Sequence, residues 1–345
     1  MKGTRSWVWL IIIAIIISGC QVREEKRSIL LDNTIVRSSE PYDFEKMEKD
    51  LLSLQEKYPE NLKVITLGVS VEGRKLYGVS MGSGPKTLLI SASIHGREWM
   101  TSYLVMNLME LYLRYEKAEK KLKGYNISEL FKETTLYFIP MVNPDGVDLV
   151  LNGLGSRDET KLMNMNEDSK DFSRWKANIE GVDLNRQFDA HWEETESKVY
   201  PSFENYKGER ILDQPESLAL VHFTEKTNPD IVVAYHLSGS VIFWYYNQTG
   251  ARLKRDYKIA KKCSKLTGYK LVDEEYSDAI AAGYKDWFVK RFEKPGYTIE
   301  IGDKRYDELA LQDIDRFIQE NIEVLLYLAK TTSKKNVSDA FARKP

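Results

Sequence analysis

Three short, almost wholly apolar runs constrain this chain most: Thr87 to Ile94, Thr135 to Pro140 and Asp230 to Tyr235, separated by longer stretches with helical periodicity. A strand that is apolar on both faces must be covered on both faces, and crossover helices are what cover it. Lys63 to Ser70, Lys75 to Met81 and Tyr297 to Ile301 also read as strands. Helical patterns at Phe44 to Tyr58, from Met100 onward, and at Glu216 to Thr227, Asp256 to Thr267, Tyr284 to Phe292 and Leu309 to Ala329 supply the covering layers. The expected fold class is α/β, a single mixed, mostly parallel β-sheet flanked by helices. Its 345 residues fit one large domain with extensions.

The start of the chain differs from the rest. Lys2 and Arg5 precede an apolar run from Trp7 to Ile17, too short for a comfortable membrane span and suited to a signal-peptide core. The run ends in Ile17-Ser18-Gly19-Cys20, which looks like a bacterial lipobox. Residues 1–20 are therefore expected to be a lipoprotein signal peptide with Cys20 as the lipidation site, placing the domain on the extracytoplasmic face of a bacterial cell membrane. Residues 21–41 are polar and aperiodic and read as a flexible tether, 42–330 as the single folded domain, and the basic stretch 331–345 as a polar tail. With 42% hydrophobic residues, 11% aromatics and a formal charge of −2, nothing points to a nucleic-acid partner. The second cysteine, Cys263, falls in a helical pattern and reads as a buried structural thiol. No disulfide framework is expected.

His95-Gly96-Arg97-Glu98 directly follows an apolar strand, and His236 ends another. Strand ends are where α/β sheets build sites, and a catalytic zinc takes nitrogen and oxygen donors from three side chains. A lone His-x-x-Glu is weak evidence; a third candidate ligand at a second strand end strengthens it. His191 and His222 read as structural or exposed. The polar stretch Asn152 to Glu180 reads as a long surface loop, and Asn143-Pro144-Asp145-Gly146 as a turn belonging to the scaffold.

His95-Gly96-Arg97-Glu98, Asn143-Pro144-Asp145-Gly146, Gly181-Val182-Asp183-Leu184-Asn185-Arg186 and Thr298-Ile299-Glu300-Ile301 occur in that order, and together they resemble the zinc metallocarboxypeptidase family over roughly Tyr42 to Leu328. The likeness is nearest in character to the bacterial gamma-D-glutamyl-L-diamino acid endopeptidases, which cut cell-wall peptides. The resemblance implies one zinc ion held by His95, Glu98 and His236, with Glu300 handling the proton of the metal's water. It implies that Asp183 orients a metal-bound histidine and that Asn185, Arg186 and Arg97 contact substrate. An oxyanion-stabilising cation belongs near Arg174-Trp175-Lys176; the sequence does not decide between Arg174 and Lys176, and Lys176 is preferred.

Two departures bear on specificity. Leu237 and Ser238 follow His236 where the digestive enzymes have a Ser-Tyr pair, and Tyr276 is out of register for the family's mobile tyrosine, which stays unassigned. Lys285 falls where the resemblance puts the pocket for the residue after the cut, and it reads equally well as a solvated helix lysine. If it points inward it favours a side chain ending in carboxylate, as diaminopimelate does. The expected substrate is a peptide, specifically the gamma-D-glutamyl-diaminopimelate bond of a peptidoglycan stem. The alternatives are a carboxypeptidase trimming ordinary peptides and, in a different class, a lipid-anchored peptide-binding protein.

Overall fold

The computed structural model describes residues 34–272 and 282–333. The expected signal peptide with Cys20, most of the tether, Tyr276 and residues 334–345 lie outside the described residues. Met1–Arg37 and Ser38–Pro345 form separate units, and the helices and strands named here lie in the second.

The chain runs α1 (Phe44–Lys57), β1 (Leu62–Val69), β2 (Lys75–Met81), β3 (Lys86–Ser91), α2 (Met100–Lys117), α3 (Ile127–Glu133), β4 (Thr134–Ile139), α4 (Pro144–Asn152) and α5 (Glu159–Met165). It continues through α6 (Pro215–Thr227), β5 (Ile231–Leu237), β6 (Val241–Phe243), α7 (Gly250–Thr267), β7 (Lys270–Leu271), α8 (Tyr284–Phe292), β8 (Gly296–Ile301), α9 (Ile314–Asn321) and α10 (Val324–Ser333). The strands form one mixed sheet in the order β1-β2-β4-β3-β5-β8-β6-β7. β4, β3, β5 and β8 are parallel at its centre; β1 and β2 run antiparallel to their neighbours, and β6 is antiparallel to β8 and parallel to β7. The α/β expectation holds, and the central strands are those whose apolar runs announced them.

Alternation divides the sheet's side chains between two helical layers. Leu89, Val232 and Ala234 join a core with Leu220 and Phe223 of α6 and Trp287 and Phe288 of α8. Their neighbours Leu88, Ile90, Val233 and Tyr235 are fully buried on the other face, where α2 and α10 pack. Each such Leu, Ile or Val contributes about 1.5–3 kcal/mol of transfer free energy. Among the described residues no helix is long and apolar enough to cross a membrane.

Three expectations change. Asn143-Pro144-Asp145-Gly146 is the start of a helix: Asn143 Oδ1 accepts from Gly146 N at 3.0 Å and Pro144 opens α4 at a position needing no N–H donor. Its scaffold role stands. The stretch 152–180 is not only loop, because Asp158 caps α5 and Leu162, Met165, Phe172, Trp175 and Ile179 close a second small core with Leu149 and Phe203. Its polar surface concealed this apolar spacing. The pattern Leu309 to Ala329 divides into α9 and α10, and α10 continues to Ser333, into the stretch read as tail. Cys263 is buried as expected, and burial pushes its thiol up to about 12. His222 is exposed on α6, and His191 is exposed with Nδ1 2.9 Å from the Tyr246 hydroxyl.

Glu216, in the first turn of α6, is 1% exposed. Its carboxylate accepts from Val71 N at 3.2 Å and from Asn178 Nδ2 at 3.3 Å, tying the β1–β2 turn and the 175–179 segment to the helix. Burial pushes its carboxyl up to about 7, and nearby Asp145 adds to this. A carboxyl raised on folding stabilises the native state while protonated and loses that contribution as pH rises from its ordinary 4.5 to about 7. The loss amounts to about 3 kcal/mol. Urea unfolding of Glu216→Gln should show a flatter stability profile between about pH 5 and 7.5 than the parent; coincident profiles would show that Glu216 does not titrate there.

Candidate active site

The crossover leaving β3 places β4 on one side, whereas β5 pairs on the other. A crevice opens at such a switch, at the carboxyl ends of the strands. His95 lies just past the end of β3, and His236 and Glu300 sit side by side near the ends of β5 and β8, where they are register partners.

The turn carrying His95 is braced from within. Ser93, in a left-handed conformation, donates its N–H to Thr101 Oγ1 at 2.8 Å, and Ser93 and Thr101 hydroxyls both bond Glu98 O. Glu98 is thereby presented from a 3₁₀ turn, Gly96–Glu98, ahead of α2. From outside, Gly96 N donates to Lys176 O at 3.1 Å and Arg97 N to Trp175 O at 2.9 Å. A Cβ on Gly96 would lie 2.6 Å from the Gly146 carbonyl, so only glycine allows α4 to approach this closely. Asn143 Nδ2 adds bonds to Ile94 O and Ala177 O. The scaffold motif thus buttresses the turn and the Trp175–Lys176 segment together.

His95, Glu98 and His236 are 3%, 3% and 2% exposed, and their candidate ligand atoms all lie within 4.8 Å of one another. Glu98 Oε1 is 2.7 Å from His95 Nδ1, and Oε2 is 3.1 Å from His236 Nδ1. Burial acts to raise the Glu98 carboxyl, but the two imidazoles outweigh it and hold it well below the usual carboxylate range. The reciprocal attraction raises His236 despite its burial. Two imidazoles and one carboxylate, buried and convergent, are a donor set that suits zinc with a coordination position left for water or substrate.

Asp183, fully buried, sits behind this cluster. Its Oδ1 lies 3.3 Å from His95 Nε2 and accepts from Asn185 N at 3.2 Å. Its Oδ2 lies 3.0 Å from Lys176 Nζ and 3.6 Å from Arg186 Nε, and accepts from Asn205 N. Burial opposes its ionisation, yet Lys176, His95 and Arg186 together hold its carboxyl well below the ordinary value. Arg174 faces elsewhere: its guanidinium bonds Asn166 O and Glu167 and stacks on Phe203 at 4.1 Å. Of the two candidate cations, the fold brings Lys176 to the cluster.

Glu300 opens onto a cavity that it lines with Asn185, Phe243, Gly283, Lys285, Asp286 and Thr298. Desolvation pushes its carboxyl up to about 7, with His236 opposing and Glu98 adding to the rise. Asn185 is fixed by Tyr284 N, which donates to its Oδ1 at 3.0 Å. Arg186 is held by Glu196 O and Asn205 Oδ1, at 3.1 and 3.0 Å. Arg97 lies over the Tyr306 ring at 4.5 Å and bonds Glu204 Oε2 at 3.2 Å.

Lys285 is no solvated lysine. It is 6% exposed, donates to Tyr245 O at 2.8 Å and forms an ion pair with Asp286. Asp286, 4% exposed, escaped sequence reading because an acid beside a lysine on a helix ordinarily marks a wet surface. Thr298 had a readable signal, since residues two apart on a strand share a face and Glu300 was already assigned.

A family model described as zinc carboxypeptidase matches residues 47–327. Gamma-D-glutamyl-L-diamino acid endopeptidase 1 from Lysinibacillus sphaericus is 34% identical over 296 residues, covering 85% of this chain and 73% of the relative. Among solved structures, thrombin activatable fibrinolysis inhibitor superimposes with a TM-score of 0.73 at 19% identity, covering 91% of this chain and 81% of that one. Carboxypeptidase A from Helicoverpa armigera gives 0.69 at 17% identity, covering 94% and 82%. These two likenesses concern the fold; the family match and the bacterial relative carry the assignment, and with the buried His-Glu-His cluster they make this chain a member of the zinc carboxypeptidase family, a zinc metallopeptidase.

Proposed function

We propose that this chain is an exported, lipid-anchored peptidase that hydrolyses the gamma-D-glutamyl-diaminopimelate bond of peptidoglycan stem peptides. The observation that carries the substrate reading is the buried Lys285–Asp286 pair on the wall of the cavity that also holds Glu300. Burying an ion pair is costly and returns little stability by itself, so its place on a cavity wall calls for a use. The free end of a diaminopimelyl side chain carries an ammonium and a carboxylate on one carbon. Lys285 can receive the carboxylate and Asp286 the ammonium, each exchanging one salt-bridge partner for another. The Lysinibacillus relative, named for cutting before a diamino acid, supports the same reading.

In this proposal His95, Glu98 and His236 hold the metal, and Asp183 fixes the His95 ring by accepting at Nε2. Bound zinc supplies a Lewis acid that polarises the scissile carbonyl and acidifies water. Glu300 takes the proton of the attacking water and delivers it to the leaving amine, the two halves of general base and general acid catalysis. Lys176, held by Asp183 beside the cluster, faces the negative charge that develops on the carbonyl oxygen. Asn185, Arg186 and Arg97 position substrate carboxylates, for which a guanidinium's planar fork is suited. The Ile17-Ser18-Gly19-Cys20 motif supports export and anchoring, which would put the enzyme on the extracytoplasmic face of the cell membrane, beside its proposed substrate.

The direct test incubates the protein with a muropeptide containing gamma-D-glutamyl-diaminopimelate, with and without a zinc chelator, and identifies products by mass spectrometry. Chelator-sensitive cleavage at that bond is expected; an intact muropeptide alongside a trimmed hippuryl-type peptide would replace the substrate assignment by the carboxypeptidase one.

Metal and proton roles separate by substitution. His236→Ala should reduce zinc, measured by elemental analysis, from about one per chain to a small fraction. Glu300→Gln should keep the zinc and lose about 10³-fold in kcat. Loss of metal in Glu300→Gln would instead make that residue part of the metal site.

Specificity can be read from the substrate side. A stem peptide with lysine in place of diaminopimelate keeps the ammonium and loses the carboxylate, and should lose about 10-fold or more in kcat/KM, the scale of one unpaired buried charge partner. Lys285→Gln should narrow that gap; an unchanged ratio would remove Lys285 from recognition.

A further inference from the structure

The molecule carries a second charged surface that the peptidase chemistry does not use. Helix α7 places Lys254, Lys258, Lys261 and Lys265 at positions i, i+4, i+7 and i+11, with Lys262 alongside, and all five are exposed. That spacing aligns them on one face, because 3.6 residues make a turn, and eleven residues of rise spread them along about 16 Å. The only acid in the helix, Asp256, is fully buried and bonded to Arg255 and Gln248. Among the described residues no carboxylate forms an ion pair with any of the five lysines.

Ordinary solvation does not account for this face. Like charges at i,i+4 weaken a helix, and the row holds three such pairs: 254–258, 258–262 and 261–265. The first turn carries Arg252 and no acid, against the preference of a helix N-terminus for negative charge. By contrast α1, another surface helix, interleaves Glu45, Lys46, Glu48, Lys49 and Asp50, the mixed pattern expected of a merely wet face. The chain as a whole is slightly acidic, so the row is a local concentration of charge and not a reflection of composition.

We infer that this face binds a linear polyanion, a phosphodiester polymer lying along α7. The row is narrow, and α9, packed against α7, carries exposed Asp315 and the carboxylate of Glu320. A narrow row of cations suits a thread, whereas a flat anionic bilayer is favoured by a broad patch free of carboxylates. The apolar side of α7 is already spent, with Ile259, Ala260 and Cys263 buried, so the helix has no face left to insert into lipid. None of the five lysines lines the Glu300 cavity or touches the His95-Glu98-His236 cluster, so binding here would hold the enzyme on a polymer while the site stays free.

The test measures binding of the full chain to poly(glycerol phosphate) and, separately, to vesicles of phosphatidylglycerol in phosphatidylcholine. Binding to the polymer should weaken about 50-fold between about 50 and 200 mM NaCl, the slope near −3 that four phosphate contacts give on a single strand. The triple charge reversal Lys258→Glu, Lys261→Glu, Lys265→Glu should weaken it at least 10-fold at low salt, with hydrolysis of a small peptide unchanged. The corresponding triple arginine variant should retain binding, which separates charge from side-chain identity. Polymer binding that is indifferent to salt or to the reversal would overturn the inference. So would absence of polymer binding at low salt, or a reversal that abolishes vesicle binding and leaves polymer binding intact.

Discussion

The carboxylate of Asp183 is the point on which the site depends. It is fully buried, yet on its two oxygens it collects the His95 ring, the Lys176 ammonium, the Arg186 guanidinium and two backbone N–H groups. An isolated carboxylate in that position would be expelled or protonated, because its desolvation would go uncompensated. Surrounded as it is, it remains charged and fixes five groups, among them the His95 ring and the Asn205 N–H from distant parts of the chain. The metal, oxyanion and substrate roles proposed for these groups would therefore be mechanically linked through one side chain.

The rest of the architecture serves to bring those groups within reach. The parallel centre of the sheet ends three strands at one edge, and the change of direction around β3 leaves a crevice there. Glycines at 96 and 146 let two backbones approach too closely for any side chain, so α4 can press against the turn that carries His95 and Glu98. The small core of Phe172, Trp175 and Ile179 holds Lys176 in place from the far side. Rigid support of this kind is what allows a metal ligand set and a proton-transferring carboxylate to keep their separations.

Charge is used differently at three places. Around Glu98 and Asp183 the charges compensate one another and are buried. On the cavity wall Lys285 and Asp286 compensate one another but remain adjacent to a space that substrate can fill. Along α7 five lysines are exposed and, among the described residues, pair with no carboxylate. The first arrangement fixes the metal-site side chains, the second is the one proposed to trade partners with a substrate, and the third acts at longer range and is screened by salt.

Much of this was legible in the sequence. The apolar runs fixed the central strands because a strand covered on both faces leaves no polar positions, and four motifs in order pointed to the family, with His236 at a strand end as the third candidate ligand. Local patterns could not reveal the α5 segment, whose apolar residues are spaced through polar sequence and acquire a partner core only when Phe203 folds onto them. Nor could they decide between Arg174 and Lys176, or between a wet and a buried Lys285, since both questions concern which way a side chain faces after distant segments meet. Sequence determines the chemistry a chain has available, because residue type and periodicity are local. Which of those groups are desolvated, paired and brought to one cavity is decided by the tertiary structure, because burial and partnership are made between residues far apart along the chain.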